Sequence, residues 1–216
     1  MYFSRVLLDT NRRSTIIALA SLNKLHGAIE MAFPGPRQHK IWRIDVLGGK
    51  TYLLILSQSK PELSSLFKQF GPEGESATWE TKDYDPLLQR ITQGSCWHFR
   101  LVANPTLSQA RNNDGERKRG KVMGHITTAY QEKWLLDRAE KHGFLLNNEE
   151  FRVVKNGWLH FRKGNDKYFV SILSATYDGI LTVSDVELFR ETLVNGLGRG
   201  KAYGQGMLTI AKPAAW

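Results

Sequence analysis

The chain has 216 residues, 41% of them hydrophobic, which is enough for a packed core and excludes a disordered chain. Thirty lysines and arginines against 21 acids leave a formal charge of +9, an excess that attracts polyanions, nucleic acid first among them. The single cysteine, Cys96, excludes an intrachain disulfide and a cysteine-rich zinc site. No apolar run approaches the ~20 residues of a membrane-spanning helix, and the first residues lack a signal-peptide pattern, so a cytoplasmic protein with no membrane partner is expected.

Residues 2–8 alternate and then turn apolar, the pattern of a strand. Residues 14–33 read as helix, with Ala18, Leu22, Leu25 and Ile29 on one apolar face. Ser21 is placed to cap a second segment within that stretch, and Pro34-Gly35-Pro36 ends it. Two β-rich runs flank Gly48-Gly49, a hairpin signal. A short helix is predicted over 61–70 and a strand over 96–102, while 70–94 is hard to read and has room for an extra strand. The order is β-α-β-β-α-β, the ferredoxin-like pattern. The segment 106–121 is polar and holds Arg111, Arg117, Lys118, Arg119 and Lys121 against Asp114 and Glu116. A second set follows: helix over 128–141, strands over 150–154, 158–162 and 168–175, a turn at Tyr177-Asp178-Gly179, and a strand over 180–183. A helix over 184–195, capped by Ser184 with Glu187 in capping-box position, and a strand over 206–210 complete it. The expected fold is α+β, two tandem ferredoxin-like domains spanning 1–105 and 106–216.

Three features bear on function. Residues 196–206 hold five glycines in eleven positions together with Arg199 and Lys201, and no acid occurs from Gly196 to the end. Glycine lets backbone N–H groups approach a phosphate closely, so Gly198, Gly200 and Gly204 with Arg199 and Lys201 are candidates to grip a polyanion. A flexible turn is the plainer reading. The spacing fits neither a P-loop nor a dinucleotide fingerprint. The second feature is His26, beside the apolar face of the first helix. A lone histidine there is more often structural, yet an imidazole that titrates near ~6.5 suits proton transfer in RNA cleavage. The third is the alternation of Arg152, Lys155, Trp158, His160, Arg162, Lys163, Lys167 and Tyr168, either a basic face with rings for base stacking or a solvated strand with core aromatics. The other histidines lack metal spacing and the carboxylates do not converge, a pattern that favours acid–base cleavage without metal; His142, at a helix end, reads as a C-terminal cap.

Taken together, the chain resembles the CasE endoribonucleases of CRISPR systems. The likeness rests on Met1-Tyr2-Phe3-Ser4-Arg5-Val6, on Leu25-His26-Gly27 followed by Phe33-Pro34, on Phe99-Arg100-Leu101-Val102-Ala103-Asn104-Pro105, on Trp134-Leu135 and on the glycine loop from Gly196 to Gly206. It spans nearly the whole chain in order. The resemblance implies cleavage of CRISPR precursor RNA at the base of each repeat hairpin, through the 2′-hydroxyl and with no metal or cofactor. It implies that the enzyme stays on the mature guide RNA among the other subunits of a Cascade surveillance complex. It makes His26 the general acid or base and Lys201 a loop lysine on RNA backbone. Arg111, Arg117, Arg119, Lys121 and Arg199 are expected to contact phosphates. Some members carry a tyrosine three residues before the histidine and a lysine five after it; here these positions hold Asn23 and Met31. Lys24, Arg37, His39 and Lys201 remain as candidates to stabilise the phosphorane. The rival expectation is an inactive subunit that only holds the guide RNA hairpin.

Overall fold

A computed structural model describes residues 1–74, 78–108, 122–162 and 169–213. The first unit runs β1 (Tyr2–Leu8), α1 (Arg13–Leu19), α2 (Leu22–Met31), β2 (Lys40–Leu47), β3 (Lys50–Ser57), α3 (Ser64–Phe70) and β4 (Trp79–Asp83), and the short helix α4 (Asp85–Gln89) follows it. Its antiparallel sheet has the order β2-β3-β1-β4, the ferredoxin-like arrangement. Gly48 and Gly49, both at positive φ, close the β2–β3 hairpin, as a two-residue loop of this kind requires. The stretch read as one helix is two, broken at Ala20 and Ser21. Ser21 does occupy the N-cap position of α2, but its hydroxyl donates to the Asn23 side chain (2.7 Å) instead of capping backbone.

The strand over residues 96–103 does not complete this sheet. The outer edge of β1 is already taken by β4, with Tyr2 opposite Asp83. The strand β5 (Cys96–Ala103) instead begins a second sheet, and the chain continues through the small hairpin β6 (Thr106–Ser108)–β7 (Val122–Gly124), α5 (Thr128–Ala139), β8 (Phe144–Leu145), β9 (Phe151–Arg162), β10 (Phe169–Val183), α6 (Val186–Asn195) and β11 (Leu208–Ala211). The second sheet has the order β11-β5-β10-β8, with β9 also on β10, again ferredoxin-like. We therefore propose that the division expected after residue 105 lies in the connection between β4 and β5. Tyr177-Asp178-Gly179 is not a turn but the middle of β10. A Cβ on Gly179 would lie 2.4 Å from the Phe151 Cα, so the glycine serves a close strand approach. The helix α6 is capped by the Asp185 carboxylate, which accepts the Leu188 N–H (3.0 Å), one residue beyond the serine expected there.

The two units are locked together. One face of the long β9–β10 ribbon contributes Phe161 and Ile172 to the core of the first unit, alongside Leu25, Ile29 and Trp42. Arg43 on β2 is the buried fastener. Its guanidinium, 2% exposed, donates to the Arg100 and Met207 carbonyls (both 3.0 Å), to Asp45 (2.6 Å) and to Thr209 (2.9 Å). Arg100 on β5 in turn pairs with Asp45 (3.2 Å) and Asp178 (2.8 Å).

Candidate functional site at the seam of the two units

His26 sits on α2, which packs against a short 3-10 turn, Lys201–Tyr203, inside the glycine loop. The chain thus brings the histidine helix of its first unit against the cationic loop of its second. The His26 side chain is 25% exposed, so it is neither walled into the core nor free in solvent. Its Nδ1 is buried without a protein partner, while Nε2 lies 3.6 Å from Glu30 Oε1. Burial holds the imidazole below its ordinary pKa; Glu30 pulls it up, and Lys40 and Arg37 push it down. The neutral form is therefore the resting form near pH 7.

The glycine loop is a packed structure, not a slack turn. All five of its glycines have positive φ. The Gly206 N–H donates to the Val102 carbonyl (2.6 Å) and the Leu197 N–H to the Gly206 carbonyl (2.8 Å), so the loop is stitched to the end of β5. Asn104 and Arg199 form an isolated antiparallel bridge, which joins the Ala103-Asn104-Pro105 end of the strand to the loop. Gly204 abuts the Trp42 ring and Gly198 the Trp134 ring. Gly200 sits at φ +86 and leads into the 3-10 turn. Arg199 and Gly198 are exposed, and Lys201 is half-buried, with burial lowering its ammonium pKa.

The auxiliary candidates separate. Arg37, exposed in the connection before β2, is close enough to act on the His26 charge. Lys24 is exposed on α2 itself. His39 turns to α6, where its Nε2 lies 3.3 Å from the Val194 carbonyl. Arg111, Arg117, Arg119 and Lys121 lie outside the described residues, as do Lys163, Lys167 and Tyr168. On the β9–β10 ribbon Trp158 is exposed and stacks on His160 (6.0 Å), and Arg162 lies over Phe169 (4.9 Å), while Phe161 between them is core.

Two residues escaped the sequence reading. Glu30 stands four places after His26, a spacing at which helical side chains meet, so it was legible. Lys40 was not: its 3% exposed side chain is led across to Glu30 (2.7 Å) by the first residue of β2. His142 does more than end a helix. Its Nδ1 lies 3.0 Å from Thr192 Oγ1, and burial, Arg138 and Lys201 lower its pKa. A cleft of about 570 Å³ between β2 and the β9–β10 ribbon, walled by Trp42, Arg100, Trp158 and Tyr203, does not include His26. Among the described residues there is no cluster of three or more metal-ligating side chains, and no helix is long and apolar enough to cross a membrane.

Fold and site define a tandem ferredoxin-like protein with a partly exposed histidine on a helix packed against a glycine-rich, cationic loop. The comparisons then narrow the class. The chain belongs to the CRISPR associated protein family, whose model matches residues 1–212. It is 28% identical to the CRISPR-associated endoribonuclease Cse3 of Thermus thermophilus, over 98% of this chain and all of that protein. The structure of Thermus thermophilus Cse3 bound to an RNA representing a pre-cleavage complex is similar at 25% identity, with a TM-score of 0.80 over 97% of this chain and 98% of that one. A chain of a CRISPR RNA-guided surveillance complex, pre-nicking, is similar at 26% identity, with a TM-score of 0.69 over 99% of this chain and all of that one.

Proposed function

We propose that this chain is a CRISPR endoribonuclease that binds repeat hairpins in precursor RNA, cuts at the hairpin base, and stays on the guide RNA within a Cascade surveillance complex. The observation that carries this reading is the partly exposed His26 on a helix packed against the Lys201–Tyr203 turn. It is supported by similarity along the whole chain to an endoribonuclease, to an RNA-bound form of it and to a surveillance-complex chain.

The chemistry we assign is attack of the 2′-hydroxyl on the adjacent phosphorus. The 2′-oxygen–phosphorus bond forms, the phosphorus–5′-oxygen bond breaks, and the products are a 2′,3′-cyclic phosphate and a 5′-hydroxyl. His26 takes the proton from the 2′-hydroxyl or returns one to the 5′-oxygen. Arg199, Lys201 and the N–H groups around Gly198 and Gly200 hold the backbone, and Gly204 shapes the turn that presents them. Arg37 is the auxiliary cation best placed to act at His26; Lys24 lies on the same helix, and His39 faces away toward α6. Arg111, Arg117, Arg119 and Lys121 are assigned to hairpin phosphates. No metal or cofactor takes part.

His26→Ala tests the assignment. Single-turnover cleavage of a repeat hairpin falls by about 10²- to 10⁴-fold, the usual contribution of a proton-transfer group, while hairpin affinity holds. Unchanged cleavage refutes the assignment of His26. A 2′-deoxy substitution at the cleaved position abolishes cutting, and a chelator leaves it intact; loss of activity with chelator overturns the metal-free mechanism.

A further inference from the structure

His26 does not stand alone on its helix. Glu30 follows at the i+4 position with Oε1 3.6 Å from the imidazole Nε2. Its other oxygen, Oε2, accepts from the Lys40 ammonium at 2.7 Å. Lys40 is the less mobile partner, with 3% side-chain exposure and its ammonium 4.9 Å from the Phe33 ring centroid. Phe33 is itself buried. The carboxylate is thus clamped from β2 and held beside the ring on α2.

This order of contacts has chemical consequences. Nδ1 is sealed from solvent with no partner, so the nitrogen able to meet a substrate is Nε2. A carboxylate 3.6 Å from Nε2 is beyond hydrogen-bond reach, but its charge biases how the ring is oriented and favours the imidazolium, the form that has a proton on Nε2 to give to the 5′-oxygen. A bare carboxylate in this place would also repel a phosphodiester. Pairing with a buried ammonium cancels that charge and leaves the orienting dipole. We propose that Glu30, clamped by Lys40, is the positioning residue of the His26 imidazole, turning its Nε2 side toward the RNA while Lys40 neutralises the carboxylate toward the RNA phosphate. The proposal rests on the assignment of His26 as the proton-transfer group.

The charged and titratable groups around the ring are few. Glu30 and Lys24 come from its own helix, Lys40 from β2 and Arg37 from the connection before it. The packed 3-10 turn offers Lys201 and Tyr203, and Arg13 is the one charged residue of α1, the helix packed on α2. Of these, Glu30 raises the imidazole pKa, and Lys40 and Arg37 lower it. Removing either member of the clamp therefore moves His26 in opposite directions, which a merely structural ion pair does not predict for cleavage.

The test uses the full chain. The His26 pKa is read by NMR titration of the imidazole, and single-turnover cleavage of a repeat hairpin is followed against pH. Glu30→Gln moves both the NMR midpoint and the histidine limb of the pH–rate profile down; Lys40→Met moves both up; Glu30→Asp restores part of the Glu30→Gln shift. The double variant Glu30→Gln/Lys40→Met removes both charges without leaving a buried ammonium unpaired. It moves His26 down, because Glu30 is the larger of the two influences. Shifts of the same sign in the two single variants, or no shift in any of them, overturn the proposal. Opposite NMR shifts without movement of the rate profile overturn a role for the clamp in cleavage. His26→Ala separates that failure from a failure of the assignment beneath it, since a His26→Ala enzyme that still cleaves normally refutes His26 itself.

Discussion

Gly204→Ala is the substitution that best separates the two jobs a glycine loop can have. If the glycines serve only to let RNA approach the backbone, alanine at an unliganded position costs the free protein little. The structure says otherwise for this one. Gly204 sits at φ +73, where an L-residue loses roughly 1–2 kcal/mol, and an added Cβ would stand 2.8 Å from Trp42 Cζ3. Trp42 is 1% exposed and packed in the first core, so it has no room to retreat. Overpacking of this kind costs roughly 1–3 kcal/mol more. The sum is about 2–5 kcal/mol, which in a chain of this size lowers Tm by roughly 4–20 °C. Differential scanning calorimetry of Gly204→Ala, Trp42→Phe and the double variant reads it. Trp42→Phe removes the ring atoms that Cβ meets, so the double variant recovers part of the loss and the two substitutions couple. A Gly204→Ala protein within about 0.5 kcal/mol of the parent, the range of an unremarkable surface change, would refute the packing argument.

Three further outcomes follow from the same geometry. Asp45→Asn leaves the buried Arg43 guanidinium without its carboxylate and sets it against Arg100, so urea unfolding shows a loss of about 3 kcal/mol, the lower end for a broken buried pair because Arg100 is a third exposed; an unchanged midpoint refutes it. His142 has its pKa lowered in the folded state by burial, Arg138 and Lys201, so the unfolded chain binds its proton first as pH falls. That contribution is fully present above the unfolded value near ~6.5 and is lost as pH falls below it; urea midpoints measured from pH 7.5 to 5.5 should fall less steeply in His142→Gln, and parallel slopes would contradict it. On the proposed role of Arg199 at one phosphate, Arg199→Ala makes the slope of log affinity for a repeat hairpin against log salt shallower by about 1 with little change in sequence preference.

Much of the fold was legible because its signals are local. The Gly48-Gly49 hairpin, the apolar face of α2 and the repeated β-α-β-β-α-β order needed no tertiary knowledge. What failed was non-local. Trp79–Asp83 carries no alternating apolar pattern because it is an edge strand whose residues are all half-buried or exposed, so the sequence leaves room for it without placing it. With that strand allowed for but not placed, the strand predicted over 96–102 falls to the first sheet, because a strand's own residues do not say which edge it joins. Tyr177-Asp178-Gly179 read as a turn because Asp-Gly usually is one; here Tyr177 is fully buried, Asp178 meets Arg100, and Gly179 makes room for β9. At the site, glycine density marked residues 196–206 correctly as unusual. Density does not distinguish a backbone exposed to phosphate from a backbone pressed against tryptophan.

The lock between the units explains why a site split across them can be precise. His26 belongs to the first sheet's helices, and Lys201 to a loop whose anchors are the Val102 carbonyl and Asn104 at the end of β5. Their separation is therefore set by how β5 sits against β2. Arg43 fixes that relation, because one guanidinium on β2 binds carbonyls on β5 and just ahead of β11. Trp42, its neighbour on β2, holds the other surface of the same strand against Gly204. Two consecutive residues thus tie the first unit to both ends of the loop's support, one by hydrogen bonds and one by packing. Neither hydrogen-bonds to His26, and on this reading both govern where the imidazole meets the backbone of an RNA.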